Sequence, residues 1–199
     1  MATVALDAEK QGSTRWRRSA SGKTAANNVD RLLDGALDVL RESRFEGLTV
    51  RGAARKAGLA TTTAYTYFSS KEHLVAALFW RSISALPFEL PTADETAQRA
   101  TDALTPIVRV VLDEPELARA CTRALLADEP DVGRLREQIS ENWRSRVSAA
   151  VADRAYPDQV EALMLAWIGL LLSAGTGYFE YADIPRRLRS VAELILAPR

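Results

Sequence analysis

Two short helical runs joined by a tight turn that holds one glycine do most to limit what this chain can fold into. After Thr49, Ala53, Ala54 and Ala57 fall at helical spacing, Gly58 follows at once, and a second helical run spans about 61–68. Thr49 is a good N-cap, because its hydroxyl can accept from the orphan amides of a first turn. Gly58 takes the left-handed conformation that ends a helix at the least steric cost. Only Ala57-Gly58-Leu59-Ala60 remains to join the two helices. That is helix-turn-helix spacing, and Ala53 and Ala54 are small enough to let the paired helices approach closely.

The flanking segments are helical too. Val29, Leu32, Leu33, Ala36, Leu37 and Leu40 mark one face of an amphipathic helix, capped by Asn27 or Asn28 and ending near Arg44. Ser69-Ser70-Lys71-Glu72 reads as a capping box, with Ser69 at the cap and Glu72 at the third position. The helix it opens continues through Leu74, Val75, Leu78, Phe79 and Ile83. Pro87 and Pro91 then break the chain, and further helices are expected over about 94–112, 115–127, 131–153, 157–180 and 185–197. Pro106, Pro115, Pro157 and Pro185 suit first turns or boundaries. With no alternating strand pattern and no repeat, the expectation is an all-α fold of about nine helices.

Charge divides the chain. Residues 1–74 hold 12 Lys/Arg against 8 Asp/Glu, while residues 75–199 hold 14 against 18. A net of +4 followed by −4 suits a polyanion partner for the first part only. The lone Cys121 can make no internal disulfide, which suits a reducing cytoplasm. The N-terminus lacks the apolar run of a signal peptide. Ala162–Phe179 is uncharged and 18 residues long, yet its glycines and the flanking Glu161 and Glu180 favour a buried interface helix over a membrane span.

In the second short helix, Ala64 and Phe68 can share an inward face. Thr61, Thr62, Thr63, Tyr65, Thr66 and Tyr67 are then divided between packing and an outer partner. Short hydroxyl side chains fit a DNA major groove about 12 Å wide, where a threonine can meet a phosphate, a base edge or a thymine methyl. The run from Leu32 to Leu78 resembles the DNA-binding domain of TetR-type bacterial transcription regulators. The matching residues are Thr49-Val50, Ala54, Ala57-Gly58-Leu59, Thr63, Tyr65, Tyr67-Phe68, Ser70-Lys71 and Leu74. The segment Tyr65 to Lys71 is the most specific.

Glycines and serines among Lys10, Arg15, Arg17, Arg18 and Lys23 make residues 1–24 read as a flexible basic arm. The resemblance implies a helix-turn-helix domain over 25–72 and a helical ligand-binding and dimerisation domain over 73–199. It implies base or groove contact by Thr61, Thr62, Thr63 and Thr66, and backbone positioning by Thr49, Tyr65, Tyr67 and Lys71. Two positions depart from the family pattern. Ala60 stands where a small cap such as Ser is usual, so the cap is expected from Thr61, and Arg44 stands where Gly is common. The third helix carries no Arg, Lys, Asn or Gln, so bidentate base pairings are absent from it. Arg51 is the nearest long polar reader. The arm Arg15-Trp16-Arg17-Arg18 has two open readings, a minor-groove contact or a solvated tail.

For the larger part, the resemblance implies a homodimer through the last two helices, Val160–Tyr178 and Leu188–Leu196. Leu163, Trp167, Leu170, Leu171, Leu188, Val191 and Leu194 would line or adjoin the seam. It also implies a pocket for a small, largely apolar effector that releases the protein from a palindromic DNA operator. Candidate wall residues are Phe79, Trp80, Ile83, Val108, Leu112, Cys121, Leu125, Trp143, Val147, Trp167, Tyr178 and Phe179; each is also readable as plain core. No enzyme, cofactor or metal site is expected. Gly22-Lys23-Thr24 lacks the strand and first glycine of a phosphate loop. His73, the one histidine, reads as an exposed helical residue, and one histidine with one cysteine makes no zinc site. Asp128, Glu129 and Asp131 read as a solvated loop.

Overall fold

The computed structural model describes residues 22–197, and no strand occurs among them. Helix α1 spans Gly22–Gly47 with a break at Arg44, whose φ of 58° lies in the left-handed region. This is the position where glycine would cost least, and the straight part of the helix ends there. The start departs from expectation. Ala25 is buried and extends the Val29–Leu32 stripe by a turn, so Asn27 and Asn28 lie inside the helix rather than capping it. Burial of that extra turn outweighs the cap preference of asparagine. The boundary at 24 therefore falls within α1, and the remainder of the basic arm, residues 1–21, lies outside the described residues.

Helices α2 (Val50–Lys56) and α3 (Thr61–Tyr67) form the helix-turn-helix. Thr49 caps α2, its hydroxyl accepting from Gly52 N at 2.9 Å. Gly58 sits at φ +63° in the turn. The cap of α3 is Ala60, with no side-chain bond, so Thr61 is the first helical residue and not the cap. Helix α4 (Lys71–Ser84) is capped by Ser70, not Ser69: the Ser70 hydroxyl accepts from His73 N at 2.9 Å.

Five longer helices follow: α5 (Thr96–Asp113), α6 (Pro115–Ala124), α7 (Pro130–Val151), α8 (Pro157–Gly175) and α9 (Ile184–Ile195), with single 3-10 turns at Ala152–Arg154 and Tyr181–Asp183. Pro106 stands inside α5 rather than at a boundary. Helix α8 stops at Gly175, well before residue 180, because Gly177 (φ +81°) turns the chain away. By length and composition α8 could cross a membrane. Its Leu163, Met164 and Trp167 are instead buried in the core. Helix α5 packs on α7 and α9, α8 packs on α9, and α4 packs on α6 and α7. Helix α6 also lies against α1, joining the N-terminal head to the body.

Candidate nucleic-acid interface and ligand cavity

The head is built around a close backbone approach. A Cβ on Gly35 of α1 would stand 2.6 Å from the Ala53 carbonyl oxygen and 3.1 Å from Ala57 N, so only glycine lets α2 settle there. The Arg31 guanidinium donates to the Ala57 carbonyl at the C-terminal end of α2, where a cation is favoured. Lys56 of α2 pairs with Glu42 of α1. These contacts fix the orientation of α3, which the turn at Gly58 carries.

On α3, Thr62, Tyr65 and Thr66 are exposed and share one face, at i, i+3 and i+4. Thr61 and Thr63 flank it and are half-buried. The Thr66 hydroxyl donates to the Thr63 carbonyl at 2.6 Å, which leaves its lone pairs able to accept. Tyr65 is 56% exposed and Tyr67 only 7%, so the Tyr67 ring belongs to the core with Ala64 and Phe68. Arg51 on α2 is exposed and without an ion-pair partner among the described residues. Lys71 is held differently: its ammonium donates to the Phe45 carbonyl at 3.2 Å and lies 4.2 Å from the centroid of the Phe45 ring. Thr49, with its oxygen accepting from Gly52, keeps its own O–H free to donate outward.

His73 is buried, not exposed. Its ring meets Phe68 edge-on at 5.2 Å, and Nδ1 lies 3.2 Å from the Ser69 hydroxyl. Burial holds its pKa below the ordinary value, with nearby Asp131 pulling the other way. The acidic segment is docked as well. Ser70 donates to Glu129 at 2.6 Å and Ser69 to Asp131 at 3.0 Å. The two carboxylates at the start of α7 thus fasten the start of α4, where the sequence alone suggested a solvated loop. Among the described residues, no group of three His, Cys, Asp or Glu could hold a metal ion.

In the body, a cavity of about 190 Å³ lies between α4, α5, α6, α7 and α8. It is lined by Phe79, Val111, Ala118, Cys121, Thr122, Leu125, Leu126, Arg136, Ile139, Ser140, Trp143, Ile168, Leu171, Leu172 and Tyr181. Four expected wall residues are among these: Phe79, Cys121, Leu125 and Trp143. The other eight are elsewhere. Ile83, Val108, Val147 and Trp167 are closed into the core, Trp80 and Phe179 are half-buried beside it, and Leu112 and Tyr178 point to solvent, Tyr178 being 82% exposed. Trp143 and Trp167 meet at 90° with centroids 5.8 Å apart, and both indole N–H groups are buried without a hydrogen-bond partner.

The expected dimer seam also divides. Leu163, Trp167 and Leu188 face inward, and Leu170, Leu171 and Val191 are half-buried. The outer face of α8 carries Leu165 (66% exposed), Ile168 and Leu172, joined by Leu194 of α9 (81% exposed).

The family profile described as "Bacterial regulatory proteins, tetR family" matches residues 32–78, which is the head and most of α4. An HTH-type transcriptional regulator of Mycobacterium tuberculosis, itself uncharacterized, is 40% identical over 98% of this chain and 92% of its own length. The chain belongs to the TetR family. Its relatives include the transcriptional repressor KstR of Rhodococcus jostii, 25% identical over 83% of this chain and 81% of that one. Among solved structures, a TetR transcriptional regulator from Rhodococcus sp. RHA1 superposes with a TM-score of 0.71 at 21% identity, covering 87% of this chain and 98% of that chain. FadR from Bacillus subtilis, solved with stearoyl-CoA, superposes at 0.57 with 15% identity, covering 84% and 97%. The protein is thus a DNA-binding transcription regulator and not an enzyme.

Several features of this TetR-family chain escape sequence reasoning. Gly35 is one; a glycine inside an otherwise strong helix was its signal. On α6, Ala118 and Thr122 are two more, readable as the small members of a stripe they form with the expected Cys121 and Leu125 at i, i+3, i+4 and i+7. Arg136 and Ser140 carried no signal that set them apart from solvated polar residues.

Proposed function

We propose that the protein is a cytoplasmic repressor that binds a palindromic operator as a homodimer and is released by a small, largely apolar ligand in the cavity. One observation carries this reading: the helices that wall the cavity also grip the head. Helix α6 lines the cavity with Ala118 and Cys121, and its Arg123 pairs with Glu46 of α1, as does Glu114 just before it with Arg41. Helix α7 lines it with Ile139 and Trp143, while Glu129 and Asp131 at its start hold Ser70 and Ser69 beside α3. A ligand that shifts α6 or α7 therefore moves the base of the head. Driving the population from 1:99 to 99:1 requires about 5.5 kcal/mol of preference for the released geometry.

In this reading Thr62, Tyr65 and Thr66 face the groove, with Thr61 and Thr63 at its edge. Arg51 reaches bases beside α3, and Thr49 and Lys71 hold the backbone. Tyr67 supports the helix from beneath. The copies pair through the apolar outer face of α8 and α9, Leu165, Ile168, Leu172 and Leu194. Such a two-fold arrangement suits half-sites about 34–36 Å apart. KstR, named a repressor, and FadR, solved with stearoyl-CoA, support repression and a ligand with a long apolar chain.

A gel shift on the palindrome upstream of the gene is the test. Binding should be two-fold symmetric and should fall steeply with salt. Arg51→Ala should relax specificity near one base pair at a cost of about 1–3 kcal/mol. Trp143→Phe should alter release by ligand and leave ligand-free operator affinity intact. Binding without two-fold symmetry, or insensitive to salt, sinks the reading.

A further inference from the structure

We infer that the cavity accepts an apolar ligand with an anionic head, and that Arg136 binds the head at the mouth. This rests on the ligand-released repressor above and narrows its effector to a chemical class. Of the 15 residues lining the cavity, Arg136 alone carries a formal charge. It stands on α7 one turn before Ser140 and two turns before Trp143, so the three share the face that walls the cavity. Its guanidinium has no carboxylate partner among the described residues, and its bond to the Ala127 carbonyl is long at 3.4 Å. The neighbouring arginines differ: Arg134 pairs with Asp131, Arg119 with Glu116 and Arg123 with Glu46. An unpaired guanidinium at the rim of an apolar cavity is poised for an anion.

The other polar groups do not compete for that role. Burial pushes the Cys121 thiol up, so it is neutral at ordinary pH. The Thr122 hydroxyl donates back to the Ala118 carbonyl at 3.4 Å, and burial holds the Tyr181 phenol neutral. Ser140, half-buried one turn along from Arg136, is placed to add a second donor to the same head. The interior beyond them, with Phe79, Ile139 and Leu171, takes an apolar body. A guanidinium suits carboxylate and phosphate oxygens alike, because its planar fork can donate two parallel bonds to either. Once the body fills the cavity, water withdraws from the mouth and the charge pair strengthens. A neutral head gains little there, and a cationic head is repelled.

The experiment is isothermal titration of the full-length protein with four probes sharing one alkyl chain: decanoate, decyl phosphate, decanol and decylamine. At least one anion should bind roughly fivefold or more tightly than decanol, with decylamine weakest. Arg136→Gln should bring the anions to within about twofold of decanol while leaving decanol and ligand-free operator binding unchanged. Arg136→Lys should keep part of the preference. The stronger of the two anions identifies a carboxylate or a phosphate head. Operator release is scored in parallel. If all four probes release DNA with no head-group preference, or Arg136→Gln leaves the preference intact, the anionic head is overturned and the ligand-released repressor stands. If no probe binds, the anionic head is overturned, while the repressor reading stands or falls on the operator gel shift.

Discussion

The head and the body are packed on opposite principles. In the head, α1 and α2 touch through small residues, with Gly35 against the Ala53 carbonyl, Ala54 and Ala57 buried, and Gly58 in the turn. This close backbone approach suits the proposed role of the head, holding Thr62, Tyr65 and Thr66 at one fixed angle. The body surrounds a cavity and leaves two indole N–H groups unbonded. Orphan donors and empty space both cost stability, and a binding site is a reason for a fold to keep them. Rigidity and spare volume thus fall in different parts of the chain, which meet where α6 and α7 touch α1 and α4.

That contrast can be broken most forcefully at Gly35. Gly35→Val places side-chain carbon against an immobile backbone oxygen and should lower stability by about 2–3 kcal/mol. Operator binding should fall by roughly tenfold or more in gel shifts at a temperature where the variant is still folded. The opposite change belongs in the body. Ala118→Leu adds volume inside the cavity and should leave the melting temperature equal or higher, since filling a void regains contacts. It should blunt release by ligand about tenfold. A large loss of stability from Ala118→Leu would show that the body is as tightly filled as the head.

Within the head, exposure ranks the two tyrosines. Tyr65→Phe should cost about 1 kcal/mol of operator affinity, the worth of one hydrogen bond. Tyr67→Phe should cost less than half of that, because its ring is largely buried. Equal losses would mean that DNA binding draws Tyr67 outward.

The smallest effect lies at the junction. The folded state holds His73 below its ordinary pKa of 6.5, mainly through burial. The unfolded chain therefore takes up the proton first. His73 costs nothing above about pH 6.5, and stability declines as pH falls below it towards the folded-state pKa. Melting curves recorded between pH 7.5 and about 5.5 should show a decline that His73→Asn flattens. A parallel decline in that variant would assign the acid sensitivity to other groups.

Much of this was legible in the residues. Apolar spacing located α1 and the long helices, and Gly58 with Thr49 located the turn, because caps and turns are local chemistry. What stayed hidden depends on residues far apart in sequence. His73 looks exposed until Asp131 and Phe68 are brought to it, and Ser70 rather than Ser69 caps α4 once Asp131 takes the Ser69 hydroxyl. Apolar bulk, aromatic or aliphatic as in Trp80, Val108 and Trp167, is what a sequence offers as the sign of a cavity wall. Yet a cavity lies where side chains are small, so Ala118 and Thr122 line it while Trp167 fills the core beside it. Which side of α8 its own chain covers stays hidden for a related reason: a helix apolar all round does not mark its inner face.

Ile168 and Leu172 belong both to the cavity mouth and to the outer stripe of α8. Were copies to pair along that stripe, as proposed above, the entrance would lie beside the seam and the partner would narrow it. Effector exchange then becomes a matter of timing as well as affinity. A dilute, dissociated protein would load and empty quickly. A paired one on DNA would do both slowly, so the memory of a brief exposure to effector would lengthen as the protein accumulates.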